Sequence, residues 1–181
     1  MNRAEIISKL ISTNKFRTYV EIGIWKGDTL EHVAKECPSL KKIFGIDPLK
    51  KKFNDIKEFS YTCSMNEPLK SDKELDKIYE FLLNRFKKYG DKLTILRTTS
   101  EKAAENFDKE SLDLVFIDGI HLYDYVKQDI KLWFPKIKKG GILMGHDYGS
   151  GFPGVAKAVN ELIKKEDLHL GDDATWWCIK Q

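Results

Sequence analysis

The stretch Thr18-Tyr-Val-Glu-Ile-Gly-Ile-Trp-Lys-Gly27 is an apolar run that ends on an acid and then breaks into spaced glycines. That pattern predicts a buried strand turning into a helix. Gly23 and Gly27 permit a tight turn and let backbone approach a ligand with no Cβ in the way, and the helix start that follows offers unpaired N–H groups. A second run of the same kind, Lys42-Ile-Phe-Gly-Ile-Asp47, ends on the carboxylate that a ribose needs. The first quarter of the chain therefore reads as a site for a nucleoside-type cofactor.

The spacing is E-x-G-x-x-x-G, not the G-x-G-x-x-G that seats a pyrophosphate on a helix start. Glu21 would repel a pyrophosphate and attract a cation. S-adenosylmethionine carries an ammonium and a sulfonium and no phosphate. On these residues the chain resembles the class I S-adenosylmethionine-dependent methyltransferases. The resemblance implies that Glu21, Gly23, Trp25 and Gly27 surround the cofactor and that Asp47 binds its ribose.

The chain has 181 residues, 41% hydrophobic and 33% charged, enough for one compact core, so residues 1–181 are expected to form a single domain. No apolar run has the length of a membrane span, and Ile6, Ile7, Leu10 and Ile11 recur at helical spacing within residues 1–16, which predicts an N-terminal helix packed on a sheet. Cys37, Cys63 and Cys178 match neither a disulfide framework nor a zinc site, and a reducing cytoplasm is the expected compartment. A net charge of +3 and the run Lys50-Lys51-Lys52 raise a nucleic-acid reading. Nearly balanced acids and dispersed bases argue against it.

Strand-like and helix-like segments alternate, predicting an α/β fold with a doubly wound, mainly parallel sheet and a C-terminal antiparallel hairpin; the resemblance implies seven strands of Rossmann-like methyltransferase type. Asn54 to Leu69 lacks periodicity and reads as an irregular insertion. Ser71 with Glu74 forms a capping box for a helix whose stripe is Leu75, Ile78, Tyr79, Leu82, Leu83 and Phe86, ended by Gly90. The resemblance implies that residues 54–92 border the acceptor. After a short strand at Leu93–Leu96, Thr99, Ser100 and Glu101 fall where an adenine would lie; helix capping explains Thr99 and Ser100 equally well.

The strongest chemical signal is a pair of buried strands that each end on an acid, Leu112 to Asp118 and Gly140 to Asp147. As parallel neighbours about 4.8 Å apart they would bring Asp118 and Asp147 side by side. No arginine is close in sequence, so a divalent cation with oxygen ligands, Mg²⁺, Mn²⁺ or Ca²⁺, is the expected neutralising partner. The competing structural readings are a helix cap for Asp118 and a turn carboxylate for Asp147. His121 and His146 flank the acids as candidate ligands or bases.

The set V-F-I-D-G-I-H-x-Y-D-Y, then G-G-I-L-x-G-H-D-Y, then P-G-V-x-K-A-V-N and T-W-W is similar to one branch of those methyltransferases. It contains small bacterial O-methyltransferases related to macrocin O-methyltransferase, cephalosporin-hydroxylase-like proteins and, more distantly, catechol O-methyltransferase. The resemblance implies methyl transfer to a hydroxyl of a small molecule or sugar. Asp118, Asp147 and His146 would serve as metal ligands, Asp118 would also border the cofactor, and Asp118, His121 and His146 would act in catalysis. His146 stands where some relatives have Glu, and Tyr148 where catechol-type enzymes have Asn. The alternatives are a nucleic-acid methyltransferase and an NAD-dependent oxidoreductase. Trp176 and Trp177 are expected to be one core and one partly exposed ring, with a dimer contact or an acceptor-pocket wall as a possible use.

Overall fold

A computed structural model describes residues 1–51, 71–149 and 151–181. The whole of the insertion expected at Asn54–Leu69 is therefore outside the described residues, with Cys63, Lys52 and the start of the 54–92 acceptor region.

Helix α1 (Arg3–Asn14) opens with a capping box in which Asn2 and Glu5 satisfy each other's backbone N–H groups. It buries Ile6, Ile7 and Ile11. Strand β1 (Thr18–Ile22), helix α2 (Asp28–Glu36) and strand β2 (Lys42–Ile46) follow. Helix α3 (Asp72–Phe86) is capped by Ser71 and Glu74 as expected, and a 3₁₀ turn at Lys87–Lys92 follows it, with Gly90 at a φ of 53°. Then come β3 (Leu93–Leu96), the short α4 (Ser100–Ala104), β4 (Leu112–Ile117), α5 (Tyr123–Trp133), β5 (Ile137–Gly145), α6 (Pro153–Leu162), β6 (His169–Leu170) and β7 (Trp176–Ile179).

The seven strands are ordered β3-β2-β1-β4-β5-β7-β6, with β7 antiparallel to both of its neighbours and the other pairings parallel. This is the expected doubly wound sheet. Every residue of β4 is buried. Leu114 and Phe116 join the core beneath α1, α2 and α3, while Val115 and Ile117 join the core beneath α5 and α6. A strand covered on both faces reads as an unbroken apolar run, which is what Leu114 to Ile117 show.

The structure departs from the sequence expectation at Leu83 and Asp118. Leu83 does not belong to the buried stripe of α3; it is exposed, as is Phe81, because Leu75, Leu82 and Phe86 already span the face turned to the sheet. Asp118 does not cap α5, whose N-cap position is Leu122. Trp176 is fully buried and Trp177 only partly so, stacked on His169 with ring centroids 5.5 Å apart. A wholly enclosed Trp176 is core, leaving only Trp177 available for a surface role.

Candidate active site

Parallel pairing of β2, β1, β4 and β5 puts the residues that follow each strand on one rim. Ile22 pairs with Ile46 on one side and Ile117 on the other, and Ile117 pairs with Gly145. Gly23, Asp47, Asp118, His146 and Asp147 thus emerge together.

Gly23 has a φ of 85°, and a Cβ there would lie 2.1 Å from the Asp118 carbonyl oxygen, so only glycine lets the β1–α2 loop lie against the end of β4. Trp25 also has positive φ, 46°, and its N–H donates to Asp47 Oδ2 at 3.0 Å. Leu49 N–H donates to Asp47 Oδ1 at 2.9 Å. Asp47 therefore ties the glycine loop to the end of β2. Burial pushes its carboxyl up, against those backbone donors. Gly27 is the N-cap of α2 at a φ of 78°.

Glu21 is nearly inaccessible and accepts the Tyr19 hydroxyl at 2.8 Å. Burial first, and the nearby Asp118 charge second, raise its pKa to about 8. It is thus largely neutral at pH 7, which differs from the fixed negative charge expected from sequence. The strand interior supplies too little solvation for an isolated carboxylate.

The two acids meet as expected, but their neutralisation is different. His121 Nε2 is 2.8 Å from Asp147 Oδ2 and 3.6 Å from Asp118 Oδ1. His146 Nδ1 is 3.1 Å from Asp147 Oδ2 and 3.7 Å from Asp118 Oδ1. Arg3, on α1, reaches the same cluster: its Nε lies 3.6 Å from Asp118 Oδ2 and its Nη1 3.2 Å from His146 Nε2. Sequence distance hid this guanidinium. Burial alone would lower the pKa of His121, but Asp118 and Asp147 outweigh it and push it to about 9. His146 moves up for the same reason. Burial would raise Asp147, yet the two histidines hold it well below the usual carboxylate range. Asp147 also sits at a φ of 62°, a conformation uncommon for a residue other than glycine and one often found at functional sites.

Asp118, His121 and Asp147 each present a ligand atom within 4.8 Å of the others. This donor set suits a divalent cation, and its imidazole favours Mn²⁺ or a later transition ion over Mg²⁺ or Ca²⁺. His146 approaches both acids, but its other nitrogen is engaged by Arg3.

The adenine candidates divide. Thr99 caps α4, accepting from Lys102 N–H at 3.5 Å. Ser100 Oγ donates to Asp129 Oδ1 at 2.5 Å and accepts from Trp133 Nε1 at 2.8 Å, which turns it toward α5. Glu101 accepts from Gln128. Asp129, missed from sequence, is buried, and burial raises its pKa to about 7. Its one sequence signal is an acid interrupting the apolar face of α5.

The methyltransferase-domain family matches residues 20–148, more than half of the chain. The chain belongs to that family. Within the sheet order and rim just described, this methyltransferase domain is also similar to several solved structures. A putative caffeoyl-CoA O-methyltransferase from Staphylococcus aureus aligns with a TM-score of 0.67 and 16% identity over 100% of this chain and 85% of its own. The O-methyltransferase NovP aligns at 0.69 and 17%, covering 99% and 79%. TomG from Streptomyces achromogenes, an O-methyltransferase solved with SAM, aligns at 0.65 and 13%, covering 99% and 80%. At such identities the likeness is one of fold. An uncharacterised protein of Acanthamoeba polyphaga mimivirus is 28% identical over 156 residues, 85% of this chain and 62% of that protein. An uncharacterised protein of Sinorhizobium fredii is 31% identical over 72 residues, 40% of this chain and 8% of that one. The chain thus spans less than two thirds of the length of either sequence relative. Among the described residues, no helix of the methyltransferase domain is long and apolar enough to cross a membrane.

Proposed function

We propose that this methyltransferase domain transfers a methyl group from S-adenosylmethionine to a hydroxyl oxygen of a small molecule or sugar, with a divalent cation at the paired acids. The observation that supports it best is the convergence of Asp118, His121 and Asp147 beside the Gly23–Gly27 loop.

Asp47 orients the ribose: its two oxygens accept backbone N–H groups, Trp25 at Oδ2 and Leu49 at Oδ1, and are acceptors for a ribose hydroxyl. Gly23 lets the β1–α2 loop lie against the end of β4 at the rim, and Glu21 lies beneath it as an acid that ionises when positive charge arrives. Asp118, His121 and Asp147 would hold the cation, which supplies charge that lowers the pKa of an acceptor hydroxyl. Holding donor and acceptor in line accounts for much of the expected rate gain. With His121 among the ligands, His146 is the imidazole left to take the hydroxyl proton. That role needs a neutral ring, hence relief from the pull of the two acids.

The test is a pair of measurements. S-adenosylhomocysteine should raise the melting temperature while NAD leaves it unchanged; stabilisation by NAD alone would overturn the cofactor reading. Turnover of vicinal-diol acceptors should vanish after chelation and return with Mn²⁺. Full activity in chelator would remove the cation from the proposal.

A further inference from the structure

Arg3 is a cation at the cofactor rim whose partners leave its fork underused. Its Nε lies 3.4 Å from Thr29 Oγ1 and 3.6 Å from Asp118 Oδ2, and its Nη1 lies 3.2 Å from His146 Nε2. Among the described residues it makes no close two-pronged contact with a carboxylate. Arg85, by contrast, grips Glu31 through Nε at 2.7 Å and Nη2 at 2.5 Å. A guanidinium is built for paired bonds to a planar anion. The Arg3 backbone is held in place from behind, where its main-chain N–H donates to Asp173 Oδ2 at 2.8 Å.

The position specifies which anion. Thr29 belongs to the first turn of α2, where unpaired backbone N–H groups also favour negative charge. β1 lies between β2 and β4, so Asp47 and Arg3 flank the glycine loop from opposite sides. A ligand whose ribose sits on Asp47 extends its tail toward Asp118 and Arg3. Asp118 divides its work: Oδ1 faces the two histidines, Oδ2 faces Arg3. An acid and a guanidinium 3.6 Å apart without a hydrogen bond match a zwitterion, ammonium toward Asp118 and carboxylate toward the fork.

We infer that Arg3 binds the α-carboxylate of the cofactor's amino-acid end, selecting adenosyl amino acids over adenosyl compounds that lack that group. This rests on the S-adenosylmethionine reading above. It is a binding role for the N-terminal helix, which otherwise only covers the sheet.

The experiment compares three ligands by calorimetry: S-adenosylhomocysteine, its decarboxylated analogue, which keeps the ammonium, and 5′-methylthioadenosine, which lacks both groups. Arg3→Ala should weaken S-adenosylhomocysteine 10- to 100-fold and leave the other two within twofold. Arg3→Lys should recover part of the loss, and both variants should melt close to the wild type. An unchanged S-adenosylhomocysteine affinity, or an equal loss for all three ligands, would overturn the role of Arg3. Failure of the wild type to bind any of the three would instead remove the cofactor reading, and this inference with it.

Discussion

His121 Nε2 lies 2.8 Å from Asp147 Oδ2, closing the gap between the ends of β4 and β5 with an imidazole that the acids keep protonated. A folded-state pKa of about 9, above the ordinary 6.5, means that this contact contributes fully below pH 6.5 and fades as pH rises through 9. His121→Asn should therefore lower stability by roughly 1–3 kcal/mol at pH 6 and much less at pH 10. Chemical denaturation at the two pH values measures the difference. A cation at the same acids must displace that proton, so Mn²⁺ affinity should rise with pH between 6.5 and 9.

On the proposed cofactor reading, Glu21 couples binding to protons. A cationic ligand favours the carboxylate, so affinity should climb as pH rises toward the Glu21 pKa of about 8 and flatten above it. Calorimetry at pH 7 in buffers of different ionisation enthalpy should show proton release. Glu21→Gln should abolish both effects.

Gly23→Ala tests the loop. The added methyl would overlap the Asp118 carbonyl, at a φ already unfavourable for alanine. A loss of roughly 2–4 kcal/mol is expected, together with loss of S-adenosylhomocysteine binding. Thermal melts with and without ligand follow both.

Asp47→Ala removes acceptors from Trp25 and Leu49 N–H as well as the proposed ribose ligand. It should cost roughly 2–4 kcal/mol, since two backbone donors lose their partners. Asp47→Asn keeps a carbonyl acceptor and should fold better while still binding S-adenosylhomocysteine at least tenfold more weakly. The contrast separates the structural from the binding role.

Asp129 lies away from the rim and reports on burial alone. Its folded-state pKa of about 7 exceeds the ordinary 3.8, so the folded chain holds a proton that the unfolded chain has released between those values. Stability should fall as pH rises from 4 to 7 and then level off. Asp129→Asn retains an acceptor for Ser100 and should stabilise the protein at pH 8 by about 1–3 kcal/mol while flattening that slope. Denaturation curves across pH check it.

Much of this was legible in the chain. The apolar runs of β1, β2, β4 and β5 are covered on both faces, so composition alone marks them, and each ends on the residue that matters: Glu21 with Gly23, Asp47, Asp118, Asp147. Turn chemistry marks Gly23 and Gly27, because positive φ excludes most other residues. The capping boxes at Asn2 and Ser71 are equally local.

What the chain alone determined, then, is the order of strands and helices and the types of side chain delivered to their ends, since these depend on periodicity and on backbone sterics among neighbours. Tertiary structure decided the rest. Only the folded path carries Arg3 of α1 to Asp118, turns Ser100 toward α5, groups His121 with the two acids, and buries Glu21 deeply enough to neutralise it. Contacts between positions a hundred residues apart, and the solvation each carboxylate loses, are properties of packing that spacing in one chain does not encode.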